Sequence, residues 1–150
     1  MKFWRSMACV VLAVAAFVCR GDDVEMNLQL DLSGRWTLTG EQTLTQGRTL
    51  DAYLPGDNYT ALLNAGLIPD PFWGKNELLV QEHRKHLWTF SRTFEVSEEL
   101  LSRKHLFLEA KSVDTFCTIS VNGAQVAQCS NQFAFTKKMF HLRAIAGKLI

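Results

Sequence analysis

Hydrophobic and polar residues alternate in short stretches along this chain, a pattern that predicts β-strands. The longest stretch covers residues 24–32, where Val24, Met26, Leu28 and Leu30 are separated by polar residues. Because successive side chains of a strand point to opposite faces, this stretch is typical of a strand with one buried face. The same pattern predicts further strands at 36–38, 51–54, 88–96, 106–110, 115–121 and 124–129.

Helical segments are predicted to be few and short. Asp57 or Asn58 is placed to cap a helix that runs to Ala65, and Gly66 follows in the left-handed conformation that commonly ends a helix. Short alternating strands with few helices favour an antiparallel β-sandwich. The remaining predicted segments are a helical piece at 76–84, a capped turn that begins at Ser97 and a loop at 40–49.

The strongest turn signal is Asn122-Gly123, which predicts a two-residue hairpin between the last two strands. In that register Cys117 faces Gln128, while Cys129 pairs with Phe116 and points to the opposite face of the sheet. Two thiols that are not joined to each other are therefore favoured, with a partner for Cys129 in another part of the protein as an alternative. A β-bulge in this hairpin would shift the register by one residue and bring the two thiols together.

The first 21 residues follow the plan of a secretory signal peptide. Lys2 and Arg5 precede the uncharged run 8–19, and Gly21 supplies the small residue expected before a cleavage site at Asp22. The run is too short to span a bilayer, which takes about 20 apolar residues. A buried helix start is the alternative to a leader. The pattern favours the leader, and with it an exported or lumenal protein.

Composition and charge exclude several classes of protein. With 47% hydrophobic and 21% charged residues, the chain is neither disordered nor collagen-like. Three of its 16 basic residues lie in the leader, which leaves 13 basic against 15 acidic residues and a net charge of −2. A nearly neutral body gives no electrostatic basis for a nucleic-acid partner. No membrane anchor is expected either.

The sequence contains no nucleophile elbow, phosphate-binding loop, dinucleotide fingerprint or zinc knuckle. His83 and His86 lie three residues apart near Glu82, but the flanking Arg84 and Lys85 disfavour a bound cation. We therefore predict that this segment is a solvated face rather than a metal site.

Carboxylates and tryptophans are the candidates for sugar chemistry. Glycoside hydrolysis needs a pair of carboxylates about 5–10 Å apart, and Asp70, Glu77 and Glu82 are available for it or are ordinary surface residues. Trp36 and Trp88 lie on the apolar faces of predicted strands and are expected in the core. The proline-bounded loop holds Trp73, which is predicted either to pack against a neighbouring domain or to contact a ligand. Asn58-Tyr59-Thr60 is an N-glycosylation sequon.

The most specific motif is the segment 54–77 (LPGDNYTALLNAGLIPDPFWGKNE). It resembles the amino-terminal portion of the β-mannosidases of glycoside hydrolase family 2, in which a Pro-Gly start and a short helix precede an Ile-Pro-Asp-Pro block, an aromatic pair and Asn-Glu. The strand 88–94, the hairpin 114–123 and the segment 131–133 resemble further motifs of that family. The last two also fit β-galactosidases and β-glucuronidases, whereas the block 68–71 selects the β-mannosidases.

This resemblance covers about residues 30–133 and implies a jelly-roll, galactose-binding-like antiparallel β-sandwich with short helical insertions. The predicted organisation is a leader at 1–21 and a partial amino-terminal domain at 22–150. The domain is expected to be incomplete at its carboxyl-terminal end, because the tail 135–150 matches the family poorly. The resemblance further implies that the whole enzyme hydrolyses terminal non-reducing β-D-mannose residues of glycoprotein-derived oligosaccharides without a cofactor. In animals such an enzyme is lysosomal.

The catalytic glutamates of the resembled family belong to a later barrel domain, so this chain alone is predicted to be inactive. No catalytic, cofactor-binding or metal-binding residue is assigned, and Asn58 is the one predicted modification site. The oligosaccharide substrate would be bound through downstream domains. Two alternatives remain, namely a secreted non-catalytic carbohydrate-binding β-sandwich and the first domain of a β-galactosidase or β-glucuronidase relative.

Overall fold

A computed structural model gives the fold of the chain. It describes residues 3–4, 8–9, 15–19, 28–111, 113, 115–131, 138–142, 144–145 and 148–149, with side chains over 28–111, 113, 116–130, 140 and 142.

Short strands are the commonest regular elements of the described chain, and four short helices and a 3₁₀ turn lie between them. The strands are β1 Phe3–Trp4, β2 Ala8–Cys9, β3 Ala15–Cys19, β4 Gln29–Asp31, β5 Gly34–Thr39, β6 Leu50–Leu54, β7 Thr89–Ser91, β8 Phe94–Glu95, β9 Leu106–Ala110, β10 Thr115–Val121, β11 Ala124–Asn131, β12 Lys138–Leu142, β13 Ala144–Ile145 and β14 Lys148–Leu149. The helices are α1 Gln42–Thr45, α2 Asn58–Asn64, α3 Asn76–Val80 and α4 Glu98–Leu101, with the 3₁₀ turn at Gln81–Lys85.

All strand pairs are antiparallel. One sheet has the order β6-β5-β7, a second has β11-β10-β2, and a third has β12-β9-β3-β4. In the third sheet β3 lies between β4 and β9, so that the strand 15–19 of the predicted leader pairs on both edges. Whether residues 1–21 are a leader stays a prediction.

One hydrophobic cluster joins the inner faces of these sheets. Trp36 and Leu38 of β5 enter it together with Phe90 of β7, Leu108 of β9 and Ile119 of β10. All five side chains are buried, as the alternation along their strands predicts. The predicted all-β sandwich with short helical insertions is confirmed.

The predicted helix ends are also confirmed. Asp57 precedes α2 in an extended conformation, and its Oδ1 accepts a hydrogen bond from the backbone N–H of Thr60 at 2.6 Å. Gly66 follows α2 with φ of +69°, a conformation in which glycine avoids a Cβ clash. Ser97 caps α4 through a bond of 3.2 Å from the N–H of Leu100 to its Oγ.

Two element predictions are wrong. The stretch 40–49 is not entirely a loop, because α1 lies inside it and the carbonyl of Glu41 accepts from the N–H groups of Leu44 and Thr45. A helix this short has no hydrophobic period to reveal it. The strand predicted over 88–96 is divided into β7 and β8, and Arg92 lies between them.

The hairpin register differs from the simple two-residue pattern. A bulge between Ile119 and Ser120 leaves Val126 as an extra residue of β11, so that Ile119 pairs with Ala127 rather than with Val126. Beyond the bulge Cys117 pairs with Cys129. The predicted placement of the two cysteines on opposite faces is therefore wrong.

Parts of two predictions lie outside the described residues. The strand predicted over 24–32 is described only from residue 28, and β4 confirms its end. In the tail 135–150, β12 pairs with β9 over its whole length, and β13 pairs with β14. Within the described residues, no helix is both long and apolar enough to cross a membrane.

Candidate functional site

The loop between α2 and α3 presents two large aromatic side chains to solvent. Phe72 is 97% exposed and Trp73 is 77% exposed. Asp70 organises this loop, because its Oδ1 accepts from the N–H of Phe72 at 2.9 Å and its carbonyl accepts from Nδ2 of Asn76 at 2.9 Å. Exposed rings held on an ordered turn are typical of a contact surface rather than of a core.

The exposed apolar surface continues along α3, where Leu78 and Leu79 are also exposed. We call residues 72–79 the apolar loop. Val80 at the end of α3 is buried and belongs to the core, which anchors the loop to the sandwich. The prediction that Trp73 lies outside the core is confirmed, as is the burial of Trp36 and Trp88.

The three candidate carboxylates each have a local structural setting of their own. Asp70 is engaged in its own loop, and Glu82 forms an ion pair with Lys85 at 2.7 Å. Glu77 is an exposed residue in the first turn of α3. Each has a local structural setting, in agreement with the interpretation as surface residues. Among the described residues no group of three or more His, Cys, Asp or Glu side chains is arranged to hold a metal ion.

The two histidines have different environments, and the prediction of a single solvated face is wrong for His83. Nδ1 of His86 lies 3.0 Å from Oε1 of Glu41 at the surface. The ring of His83 is half-buried against Trp88, with 6.3 Å between ring centroids. Its Nδ1 is buried and has no hydrogen-bond partner within the part of the chain that the structure describes. Burial, with the nearby charge of His86 as a smaller cause, lowers the pKa of His83 below its usual range.

Asn58 is buried, with 3% of its surface exposed. Its Nδ2, the atom that would carry an N-glycan, is inaccessible and has no hydrogen-bond partner among the described residues. A glycan at this atom would displace the packing that covers it. The structure therefore argues against a glycan at Asn58 in the folded chain, and the sequon stays a prediction.

The sheet β6-β5-β7 carries a polar surface that no pattern in the sequence indicated. Arg35 and Asp51 form a bidentate ion pair there, with 2.7 and 2.9 Å between Nη2 and the two carboxylate oxygens. Beside it the hydroxyl oxygens of Thr37 and Ser91 are 2.7 Å apart. These residues line an open cavity of about 550 Å³, which we call the polar cleft. The exposed ring of Tyr53 lies opposite Arg35 in the strand register.

The polar cleft results from alternation along three strands. Residues one position away, such as Trp36 and Leu38, point into the core, so their neighbours Arg35 and Thr37 face outward. The sequence identifies these residues as surface positions. It does not reveal that the register aligns Thr37 with both Asp51 of β6 and Ser91 of β7.

Arg92 has a structural position beside this cleft. Its Nη1 donates to the carbonyl oxygens of Leu32 and Ser33, at 3.0 Å and 2.5 Å. The bonds fasten the β4–β5 turn to the end of β7. The arginine of the strand motif 88–94 therefore supports the sandwich, and it also lines the polar cleft.

Comparison with known proteins decides the family. Residues 36–142 match the model of the glycosyl hydrolase 2 galactose-binding domain-like family. The chain belongs to this family. The match extends to residue 142, beyond the limit of 133 that the motifs alone indicate, and includes β12.

Members of this glycosyl hydrolase 2 family with curated names support a narrower relationship. A probable β-mannosidase of Caenorhabditis elegans is 35% identical over 107 residues, which cover 71% of this chain and 11% of the relative. Beta-mannosidase A of Emericella nidulans is 32% identical over 99 residues, which cover 66% of this chain and 10% of the relative. The chain thus spans about a tenth of the length of these relatives and corresponds to the amino-terminal domain of β-mannosidases.

A solved structure leads to the same conclusion. The β-D-mannosidase from Dictyoglomus thermophilum superposes with a TM-score of 0.67 at 34% identity, over 75% of this chain and 13% of that one. The relatives named here are β-mannosidases, as the block 68–71 indicates.

Proposed function

We propose that this chain is the first domain of an enzyme that removes terminal non-reducing β-D-mannose residues from glycoprotein-derived oligosaccharides. The family match over 36–142, with relatives named β-mannosidases about ten times as long as the matched region, carries this proposal. The oligosaccharide would be bound through downstream domains. The proposal includes neither a nucleic-acid partner nor a membrane anchor.

The chain alone is proposed to be inactive. Glycoside hydrolysis needs an acid and a second carboxylate on the two sides of the scissile bond. Asp70 and Glu82 are committed to a loop and to an ion pair, respectively. The catalytic groups are therefore proposed to lie in the part of the enzyme to which this domain is attached.

The apolar loop is the surface by which the domain is proposed to pack on the rest of the enzyme. Phe72 and Trp73 expose more apolar surface than a solvated loop needs, and Asp70 holds their backbone in place. Aromatic residues of this kind contribute strongly to interfaces when a partner covers them.

A domain exchange tests the proposal. The matching domain of the Dictyoglomus thermophilum β-D-mannosidase would be replaced by residues 22–150, and hydrolysis of an aryl β-mannoside would be measured. We expect activity from the chimera, no activity from the chain alone, and loss of activity in the chimera carrying Phe72→Ser and Trp73→Ser. Phe116→Ser, which changes another strongly exposed aromatic residue, in β10, is the control. An inactive but folded chimera would contradict the proposal, and hydrolysis of β-galactosides or β-glucuronides instead would favour those relatives.

The polar cleft supports a second candidate function, non-catalytic carbohydrate binding. Arg35, Asp51, Thr37 and Ser91 provide donors and acceptors beside the exposed ring of Tyr53, a combination suited to a sugar. Titration of the chain with methyl β-mannoside, followed by chemical-shift changes, tests this. Binding should be lost in Asp51→Asn and kept in Glu77→Gln, and unchanged spectra of the natural chain would exclude it.

We further propose export through the secretory pathway with removal of residues 1–21, and the lysosome as the destination, with secretion as the alternative. The charged start and the short apolar run support the leader. Sequencing the amino terminus of the protein made in animal cells tests this. A terminus at Asp22 supports the proposal, whereas an intact Met1 contradicts it.

A further inference from the structure

The two cysteines beyond the hairpin bulge are directly opposite each other. Cys117 of β10 is the register partner of Cys129 of β11. This pairing exists because Val126 is an extra residue, which shifts the rest of β11 by one position. Without the bulge Gln128 would face Cys117, and the two thiols would point to opposite sides of the sheet.

Direct opposition across two antiparallel strands is compatible with the geometry of a disulfide. Directly opposite residues of antiparallel strands have Cα atoms about 4.5–5.5 Å apart, and disulfides span about 4.4–6.8 Å between Cα atoms. Cys117 is 6% exposed and Cys129 is 5% exposed, so both side chains point to the inner face. From these observations we propose that Cys117 and Cys129 form a cross-strand disulfide that fixes the bulged register of the hairpin.

We expect an oxidant to reach this pair from an adjoining surface cavity. The two cysteines border a surface cavity of about 530 Å³, lined also by Leu87 and Phe116. The oxidant is a small or protein-borne disulfide. One cysteine thiolate attacks it, forming a mixed disulfide and releasing one thiolate.

The second cysteine then attacks the sulfur already bound to the first, which forms the intrachain S–S bond and releases the second thiolate. The two protons lost by the cysteines are taken up by the two released thiolates. Two cysteine thiols are thereby oxidised, and one external disulfide is reduced to two thiols. Occurrence of the bond in the cell rests on the proposed export, because oxidising compartments are where disulfides persist.

The leader contains a competing thiol. Cys9 of β2 pairs with Cys117 on the opposite edge of β10, and Cys19 lies in β3. The experiment therefore uses the full chain with Cys9→Ser and Cys19→Ser, so that only the proposed pair can react within the chain. A matched variant adds Gln128→Cys and Cys129→Ser, which moves the second thiol to the partner position of the register without a bulge.

Both chains would be incubated with reduced and oxidised glutathione in native buffer, and their thiols would be counted by mass spectrometry after maleimide labelling in denaturant. We expect the natural pair to lose both thiols, with a monomer mass lower by two hydrogens. We expect the matched variant to keep its thiols or to carry mixed disulfides with glutathione. A natural pair that remains reduced, or that oxidises no more completely than the matched variant, would overturn the proposal.

The test also detects a misfolded chain. If the bulged register of the hairpin is not formed, both variants are expected to oxidise to the same extent. The same reaction in urea gives the extent of oxidation of the two unfolded variants, with which the native results are compared.

Discussion

The indole N–H of Trp88 donates a hydrogen bond to the carbonyl oxygen of His83, with 2.9 Å between the nitrogen and the oxygen. Trp88 is completely buried, and its ring lies beside the half-buried imidazole. A core tryptophan is thus hydrogen-bonded to the middle of the 3₁₀ turn that follows the apolar loop. The stability of the core and the position of the exposed surface are connected at this bond.

Replacing Trp88 should destabilise the domain more when more of its buried side chain is removed. Trp88→Ala removes the whole buried ring and should lower the free energy of unfolding by about 3–5 kcal/mol. Trp88→Phe keeps most of the ring but leaves the His83 carbonyl without this donor, and should cost about 1–3 kcal/mol. Urea denaturation followed by circular dichroism measures both.

The matched control for the Trp88 variants is Trp73→Ala, because that ring is largely exposed. It should change the free energy of unfolding by less than about 0.5 kcal/mol. Equal losses at Trp73 and Trp88 would contradict the burial described for the two rings.

Gly40 should not tolerate a side chain as long as Trp88 is present. A Cβ atom at Gly40 would lie 2.3 Å from Cζ3 of Trp88, far inside contact distance. Gly40→Ala should therefore cost about 1–3 kcal/mol by overpacking. A double-mutant cycle with Trp88→Phe should show a smaller cost for Gly40→Ala, since the smaller ring leaves room. Strict additivity would show that the two sites are not in contact.

The stability of the domain should decrease on acidification through His83. Its pKa in the folded chain is lowered, chiefly by burial, from the ordinary value of 6.5. Below about pH 6.5 the unfolded chain therefore binds the proton first, so stability is complete above that pH and is lost as the pH falls through the folded pKa.

Thermal melts between pH 8 and pH 5 test the role of His83. Glutamine does not titrate, so the melting temperature of His83→Gln should fall less over this pH range than that of the natural chain. The difference in melting temperature between the two chains at pH 8 reports the change in packing. Any further change in that difference as the pH falls reports the titration of His83. Identical pH profiles would exclude His83 as the group responsible.

The cap of α2 should contribute measurably to stability. Asp57→Ala removes the acceptor for the N–H of Thr60 and should cost about 1 kcal/mol. Asp57→Ser keeps an acceptor at the same place and should restore most of that loss. An unchanged denaturation midpoint for Asp57→Ala would show that the cap is not formed in solution.

The sequon at Asn58 should be unoccupied in the folded protein. Its Nδ2 is covered, and the rest of the side chain lies in the first turn of α2. Protein secreted by animal cells should therefore show the same mass at this peptide before and after treatment with an amidase that removes N-glycans. A loss of glycan mass would contradict the packing of Asn58 described here.

The sequence predicts the fold where a local pattern dictates the structure. The cap at Asp57, the left-handed Gly66 and the buried Trp36 all follow from residue type and spacing. The family resemblance of the segment 54–77 is also confirmed. These features depend on residues that are close together in the chain or on a simple strand period.

The errors arise where partners are distant or where one extra residue changes a register. Nothing near Val126 marks it as the bulge residue, yet it decides which residue faces Cys117. The half-burial of His83 depends on its contact with the ring of Trp88. The charged residues Arg84 and Lys85 beside His83 indicate a solvent-exposed segment, so the sequence does not predict this contact. The polar cleft likewise requires the register of three strands, which a single segment does not contain.

The position of β3 gives leader cleavage an unusual meaning. In the full chain β3 separates β4 from β9, so its removal would leave two strand spacings, about 9.6 Å, between strands that have no direct pairing. A signal peptidase acting after residue 21 would then take out an internal strand rather than trim a tail.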